Sequence, residues 1–168
     1  MRLNRDDFLD VVRRAPLVSV DLVIRDSAGR VLLGKRTNQP ARGYWFVPGG
    51  VIQKGERIPE ALRRVFRQEL GQDLAENQVI FKGVYEHMYD ENFASASGIS
   101  THYIVLAHEV RIEDQGGIRP DAQHEGFRWL DVPSLLSDGD VHPYTKAYFQ
   151  PGTAVRAAGQ DGFHAEKR

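Results

Sequence analysis

Apolar residues follow two periods along the chain, and the switches between them mark most of its elements. Residues 4–14 interleave charge with Phe8, Leu9, Val11 and Val12 at helical spacing behind Asn4, a good N-cap, and Pro16 stops the helix. Residues 17–26 then run through Val, Leu and Ile as a strand does, with Asp21 in their middle. A turn at 27–30 leads to a second strand over 31–36, ending on Lys35 and Arg36. Trp45, Phe46 and Val47 predict a third, closed by the turn Pro48-Gly49-Gly50. From Glu56 the period changes to 3.6, and Ile58, Ala61, Leu62, Val65, Phe66 and Leu70 fall on one face of an amphipathic helix. Further strands are predicted over 78–90, 101–112 and 127–130, with short helices after Pro133 and over 145–149. The polar stretches 91–100 and 115–126 read as loops long enough to carry function, and little pattern remains after Pro151.

The polar residues that interrupt these patterns carry the chemical information. Glu69 falls in the middle of the apolar helix face, where a carboxylate is costly unless a cation or several donors meet it. Either the stripe opens there onto a site, or the helix rolls enough for Glu69 to reach solvent or an arginine. Asp21 inside a strand and Lys35-Arg36 at the end of another also need partners. A solvated sheet edge would satisfy the two bases; so would a phosphate, which a guanidinium grips through its fixed fork of donors.

Composition narrows the class. A chain of 168 residues is one domain of ordinary size. Residues 1–150 form that domain, with 151–168 expected to be a poorly ordered tail. Formal net charge is -1, so no global field draws the protein to nucleic acid or to a membrane, and an anionic ligand must be held by local bases. The absence of cysteine excludes disulfides, zinc-thiolate sites and a thiol nucleophile. The charged N-terminus lacks the apolar core of a signal peptide, and no apolar run approaches membrane-spanning length, so a cytoplasmic protein is expected. Strands around one strong helix, with more helices at the ends, indicate an α/β fold with a mixed sheet sandwiched between helices.

The stretch 49–71, GGVIQKGERIPEALRRVFRQELG, resembles the Nudix box, G-x5-E-x7-R-E-U-x-E-E-x-G-U, in which U is aliphatic. Gly50, Glu56, Arg64, Glu69 and Gly71 match. Val65 and Gln68 stand where the family usually has metal-binding glutamates, and Gln72 replaces the last aliphatic residue. The resemblance implies the Nudix fold. Over roughly residues 5–150 the segments PLVSVDLVIRD, LLGKRTNQPARGYWFVPGG, HMYDENF, THYIVL, DAQHEGFRWL and HPYTKAYF are similar to the GDP-mannose mannosyl hydrolases, a Nudix subgroup that attacks the anomeric carbon of the sugar rather than phosphorus.

That resemblance implies hydrolysis of GDP-mannose or GDP-glucose to GDP and an inverted hexose, with one Mg2+ per subunit held by Glu69, a backbone carbonyl at Gly49, and Gln123. His124 is implied as the base that delivers water, with His87 as second choice; Arg36 is placed on the diphosphate, Asp21 on sugar hydroxyls, and Tyr103 on phosphate or sugar. Arg64 is open between a structural pair with Glu56 or Glu60 and a phosphate contact. A homodimer is also implied. Val51 departs from the subgroup, which carries an arginine after the glycine pair. Two other readings stay open: a pyrophosphohydrolase cleaving a nucleotide sugar at phosphorus, and a Nudix-fold module that binds a nucleotide sugar without turnover.

Overall fold

The structure is a computed structural model that describes residues 3–74, 79–113 and 124–157, with backbone only at His124, Glu125, Arg156 and Ala157. Helix α1 (Arg5–Arg14) begins at Asn4, whose side chain accepts the Asp7 N–H, and leads into β1 (Leu17–Arg25). Strands β2 (Val31–Arg36), β3 (Trp45–Phe46) and β4 (Gly49–Val51) precede α2 (Ile58–Leu70). Strands β5 (Val79–Tyr89), β6 (Thr101–Arg111) and β7 (His124–Leu130) follow. Helices α3 (Val132–Ser137) and α4 (Pro143–Ala147) and the short strand β8 (Arg156–Ala157) complete the order. Strand β7 starts three residues earlier than its apolar pattern indicates, because His124 pairs across the sheet with Arg36. Strand β8 lies within the stretch of weak pattern after Pro151 and pairs with Gly83 and Val84 of β5.

The sheet is mixed. Its main order is β3-β2-β1-β6-β5-β8, with β1 and β6 parallel and β5 antiparallel to β6. Alternate residues of β1 feed two cores, as period two requires. Val20, Leu22 and Ile24 pack with Leu62, Val65, Phe66 and Leu70 of α2 on one face. Val23 packs on the other with Leu33, Phe46, Val105, Leu135 and Tyr148. Phe66 and Leu70 are essentially fully buried, each worth about 1.5–3 kcal/mol of transfer free energy. Among the described residues no helix is long and apolar enough to cross a membrane.

One feature of the sheet positions the site. Strand β1 pairs with β2 only near its C-terminal end, at Arg25 opposite Val31, and nearer its start it pairs instead with β4, Ser19 to Asp21 opposite Val51 to Gly49. Strand β2 meanwhile is flanked by β3 and β7. The sheet therefore parts beside Asp21, between β1 and β2, and the glycine pair enters the gap; the Leu22 N–H donates to the Pro48 carbonyl at 2.8 Å to hold it there.

Candidate active site

Asp21 and Gly49 face each other across the β1–β4 pair so closely that position 49 has no room for a side chain. A Cβ there would overlap Asp21 Oδ1 and lie 3.0 Å from both the Asp21 Cγ and the Val20 carbonyl oxygen. Its neighbour Gly50 is similarly tight, since a Cβ there would lie 2.9 Å from a methyl of Val65. The glycine pair thus lets the backbone lie flush between a carboxylate on one side and α2 on the other.

The second oxygen of Asp21, Oδ2, accepts a hydrogen bond from the Tyr148 hydroxyl at 2.5 Å. Both residues are buried. Burial raises the Asp21 carboxyl to about 6; the Tyr148 hydroxyl and the Arg36 charge lower it, and the Glu69 carboxylate raises it again. Two acids and a guanidinium therefore share one electrostatic environment, although they come from β1, α2 and β2.

His87 lies behind Tyr148, with Nε2 3.4 Å from the hydroxyl oxygen. Because the single hydroxyl proton is donated to Asp21, the Nε2-protonated tautomer of His87 can donate to the same oxygen. The imidazole stacks on Tyr144 at 4.2 Å and 5°, and burial, then the nearby His142, lowers its pKa to about 3. His142 caps α4 by accepting the Tyr144 N–H on Nδ1, and burial, then Arg36, lowers its pKa to about 4. Both rings are neutral at pH 7. A base with a pKa near 3 takes up few protons there, which suits His87 to orienting rather than abstracting.

Helix α2 explains the departures from the box. Glu69 is 4% exposed despite its charge, so the apolar stripe carries the carboxylate inward rather than rolling it to solvent. Val65 is 2% exposed and belongs to the core on Gly50. The Gln68 amide oxygen accepts from Arg64 at 3.1 Å. Arg64 also grips both oxygens of Glu56 at 2.6 and 2.8 Å and donates to the Val51 carbonyl at 2.9 Å. Between the two partners that the sequence leaves open, the geometry takes Glu56; the Glu60 carboxylate instead accepts the Arg57 N–H at the helix start. Glu56 further accepts the Gln53 N–H, so the fork closes the loop between β4 and α2.

The residues singled out from the sequence divide accordingly. Asp21 and Gly49 meet at the parting of the sheet, the charges of Arg36 and Glu69 are felt at Asp21, and His87 joins Asp21 through Tyr148. Tyr103 sits opposite His87 on β6, its phenol raised by burial and influenced by Arg36 and Asp21. The Arg36 guanidinium lies 5.7 Å over the Phe46 ring. His124 enters through its backbone, opposite Arg36 at the start of β7. Gln123 falls outside the described residues. Tyr148, Tyr144 and His142 are site residues that local pattern does not single out, since the aromatic residues of HPYTKAYF equally fit a packing helix.

The donor set suits a hard divalent cation. Glu69 supplies a buried carboxylate whose charge is felt at Asp21, so a cation held by Glu69 would also ease the burial of Asp21. Among the described residues no three His, Cys, Asp or Glu side chains converge to complete a metal shell. One or two carboxylates, with water and phosphate oxygens filling the rest, is how Mg2+ is usually held.

A family profile for the NUDIX domain matches residues 15–150. The low-salt glycan biosynthesis protein Agl8 of Haloferax volcanii is 43% identical over 148 residues, covering 88% of this chain and 88% of that protein. Nucleoside triphosphatase NudI of Escherichia coli K12 is 49% identical over 94 residues, covering 56% and 66%. Among solved structures, a MutT NUDIX hydrolase from Burkholderia pseudomallei superposes with a TM-score of 0.65 at 26% identity, over 80% of this chain and 96% of that one.

Proposed function

The chain belongs to the Nudix hydrolase family, and we propose that it hydrolyses a GDP-sugar, GDP-mannose or GDP-glucose, to GDP and free hexose by attack of water at the anomeric carbon. The observation that carries this reading is the fate of the box positions on α2. Val65 is buried in the core and Gln68 is engaged by Arg64, so of the three clustered positions Glu69 alone offers a carboxylate. Attack at phosphorus in Nudix enzymes draws on several divalent ions held by clustered carboxylates; a single-ion site suits a reaction in which the diphosphate departs instead. The name of the Haloferax relative, a glycan biosynthesis protein, accords with a sugar-bearing substrate.

In this reading water adds its oxygen to the anomeric carbon as the bond from that carbon to the phosphate oxygen breaks, and GDP leaves with the electron pair. His124 takes the proton, since histidine titrates near neutrality and the buried His87 does not. Arg36 binds the diphosphate, Tyr103 orients phosphate or sugar, and Asp21 accepts from sugar hydroxyls beside the forming oxocarbenium-like centre. Glu69, the backbone at Gly49 and Gln123 would hold Mg2+, which when bound neutralises charge on the leaving diphosphate. Arg64 acts by bracing the loop at Val51. Two subunits associate as a homodimer.

Product analysis tests the reading. GDP and the hexose anomer opposite to that of the substrate, seen by proton NMR before mutarotation, are expected. GMP with a hexose phosphate would assign attack to phosphorus, and stable binding without either product would leave a nucleotide-sugar-binding module.

A further inference from the structure

We propose that Tyr148 is a positioning residue, whose hydroxyl fixes the Asp21 carboxylate so that Oδ1 is held beside the Gly49 backbone, where the sheet parts. The two oxygens of Asp21 are used differently. Oδ2 is taken by the Tyr148 hydroxyl at 2.5 Å, and Oδ1 is the atom against which a Cβ at position 49 would collide. A buried carboxylate with both oxygens loose could turn about its χ2 torsion; one oxygen tied to a fixed donor defines where the other points.

The donor is itself fixed. Tyr148 is 3% exposed, and its ring meets Tyr85 edge-on at 4.7 Å and 88°. With its one proton committed to Asp21, the hydroxyl oxygen is oriented to accept from His87 Nε2 at 3.4 Å. His87 is held in turn by its stack on Tyr144. A chain of groups from β5 and the end of α4 thereby sets the direction of one carboxylate on β1, with Tyr148 reaching it across 127 residues of sequence. Tyr148 itself lies behind Asp21 and is a support for the acid rather than a contact for the substrate.

The kinetic consequence rests on the reading of Asp21 as a partner of hexose hydroxyls. Tyr148→Phe removes one oxygen and retains the ring. The expected result is at least a tenfold fall in kcat/KM for the GDP-hexose, with the Kd for GDP within twofold of wild type and an unchanged circular dichroism spectrum. Because the hydroxyl acts through Asp21, adding Tyr148→Phe to Asp21→Asn should change the residual turnover less than twofold. Wild-type turnover in Tyr148→Phe, parallel losses of GDP binding and turnover, or fully multiplicative losses in the double variant would overturn the proposal. If the wild-type protein releases GDP from neither sugar, the functional reading fails while the positioning claim is still decided by a crystal structure of Tyr148→Phe. A rotated Asp21 carboxylate upholds it, and an unmoved one overturns it.

Discussion

Gly49→Ala adds one methyl at the tightest point of the site, and its cost can be worked from the neighbours. Gly49 does not use a left-handed backbone, so the effect is steric rather than conformational. The new carbon meets Asp21 Oδ1, the Asp21 Cγ at 3.0 Å and the Val20 carbonyl oxygen at 3.0 Å. The carbonyl is part of β1 and cannot yield without moving the strand. Asp21 can yield only by turning away from Tyr148, and losing a hydrogen bond to a buried charged group costs about 1.5–3 kcal/mol. Should β4 withdraw instead, the overpacking penalty is about 1–3 kcal/mol, and the pairing of Ser19 to Asp21 with Val51 to Gly49 loosens as well. Either route gives a loss of about 1–3 kcal/mol, which for a domain of this size lowers Tm by about 2–12 °C. Thermal unfolding followed by circular dichroism reads the stability, and turnover at a temperature where both proteins are folded reads the site. A variant with Tm within about 1 °C of wild type and unaltered turnover would refute the close approach of Gly49 to Asp21.

Three further outcomes follow from the same geometry. Arg64→Ala should destabilise by about 2–3 kcal/mol in urea denaturation, because a largely buried Glu56 loses its fork and the Val51 carbonyl its donor; Arg64→Lys should recover little of this, and wild-type stability in either would remove the bracing role. His87, at about 3 when folded against 6.5 as its ordinary value, leaves the unfolded chain binding more protons between those values. Its contribution is therefore complete above pH 6.5 and is lost on acidification, so His87→Phe should flatten the fall in stability below that pH. Asp21, raised to about 6, works in the opposite sense, and an unchanged acid limb in the His87 variant would sink the assignment. Finally, Glu69→Gln should weaken Mg2+ dependence and turnover together with the fold intact, whereas unaltered Mg2+ dependence would detach Glu69 from the metal.

Much of this architecture is legible in the sequence because it is written in local periods. The apolar face of α2 announces both the helix and the anomaly of Glu69 within it, and the structure buries that carboxylate with Ala61, Leu62, Val65, Phe66 and Leu70, while Ile58 at the helix start stays exposed. Asn4 likewise reads as the cap it is. The site's assembly is less legible, since it depends on contacts between distant segments. Nothing near Gly49 signals that Gly49 and Gly50, which read as part of a turn, instead form β4 with Val51, pair with β1 and lie flush on Asp21. Nothing near Tyr148 signals a hydroxyl aimed at an acid 127 residues earlier. His124 reads as a loop residue because its strand is defined by pairing with Arg36 rather than by its own apolar pattern. Arg64 falls between: its spacing offers Glu56 and Glu60, and only the loop's closure over Gln53 and Val51 selects the first.

The measurement that bears most directly on the chemistry is hydrolysis of GDP-mannose in 18O-labelled water with Mg2+, followed by mass spectrometry of both products. Attack at carbon places the heavy oxygen in the hexose and leaves the released GDP unlabelled. Label in a phosphate group, with GMP among the products, would contradict the account and return this chain to the phosphorus chemistry of Nudix enzymes.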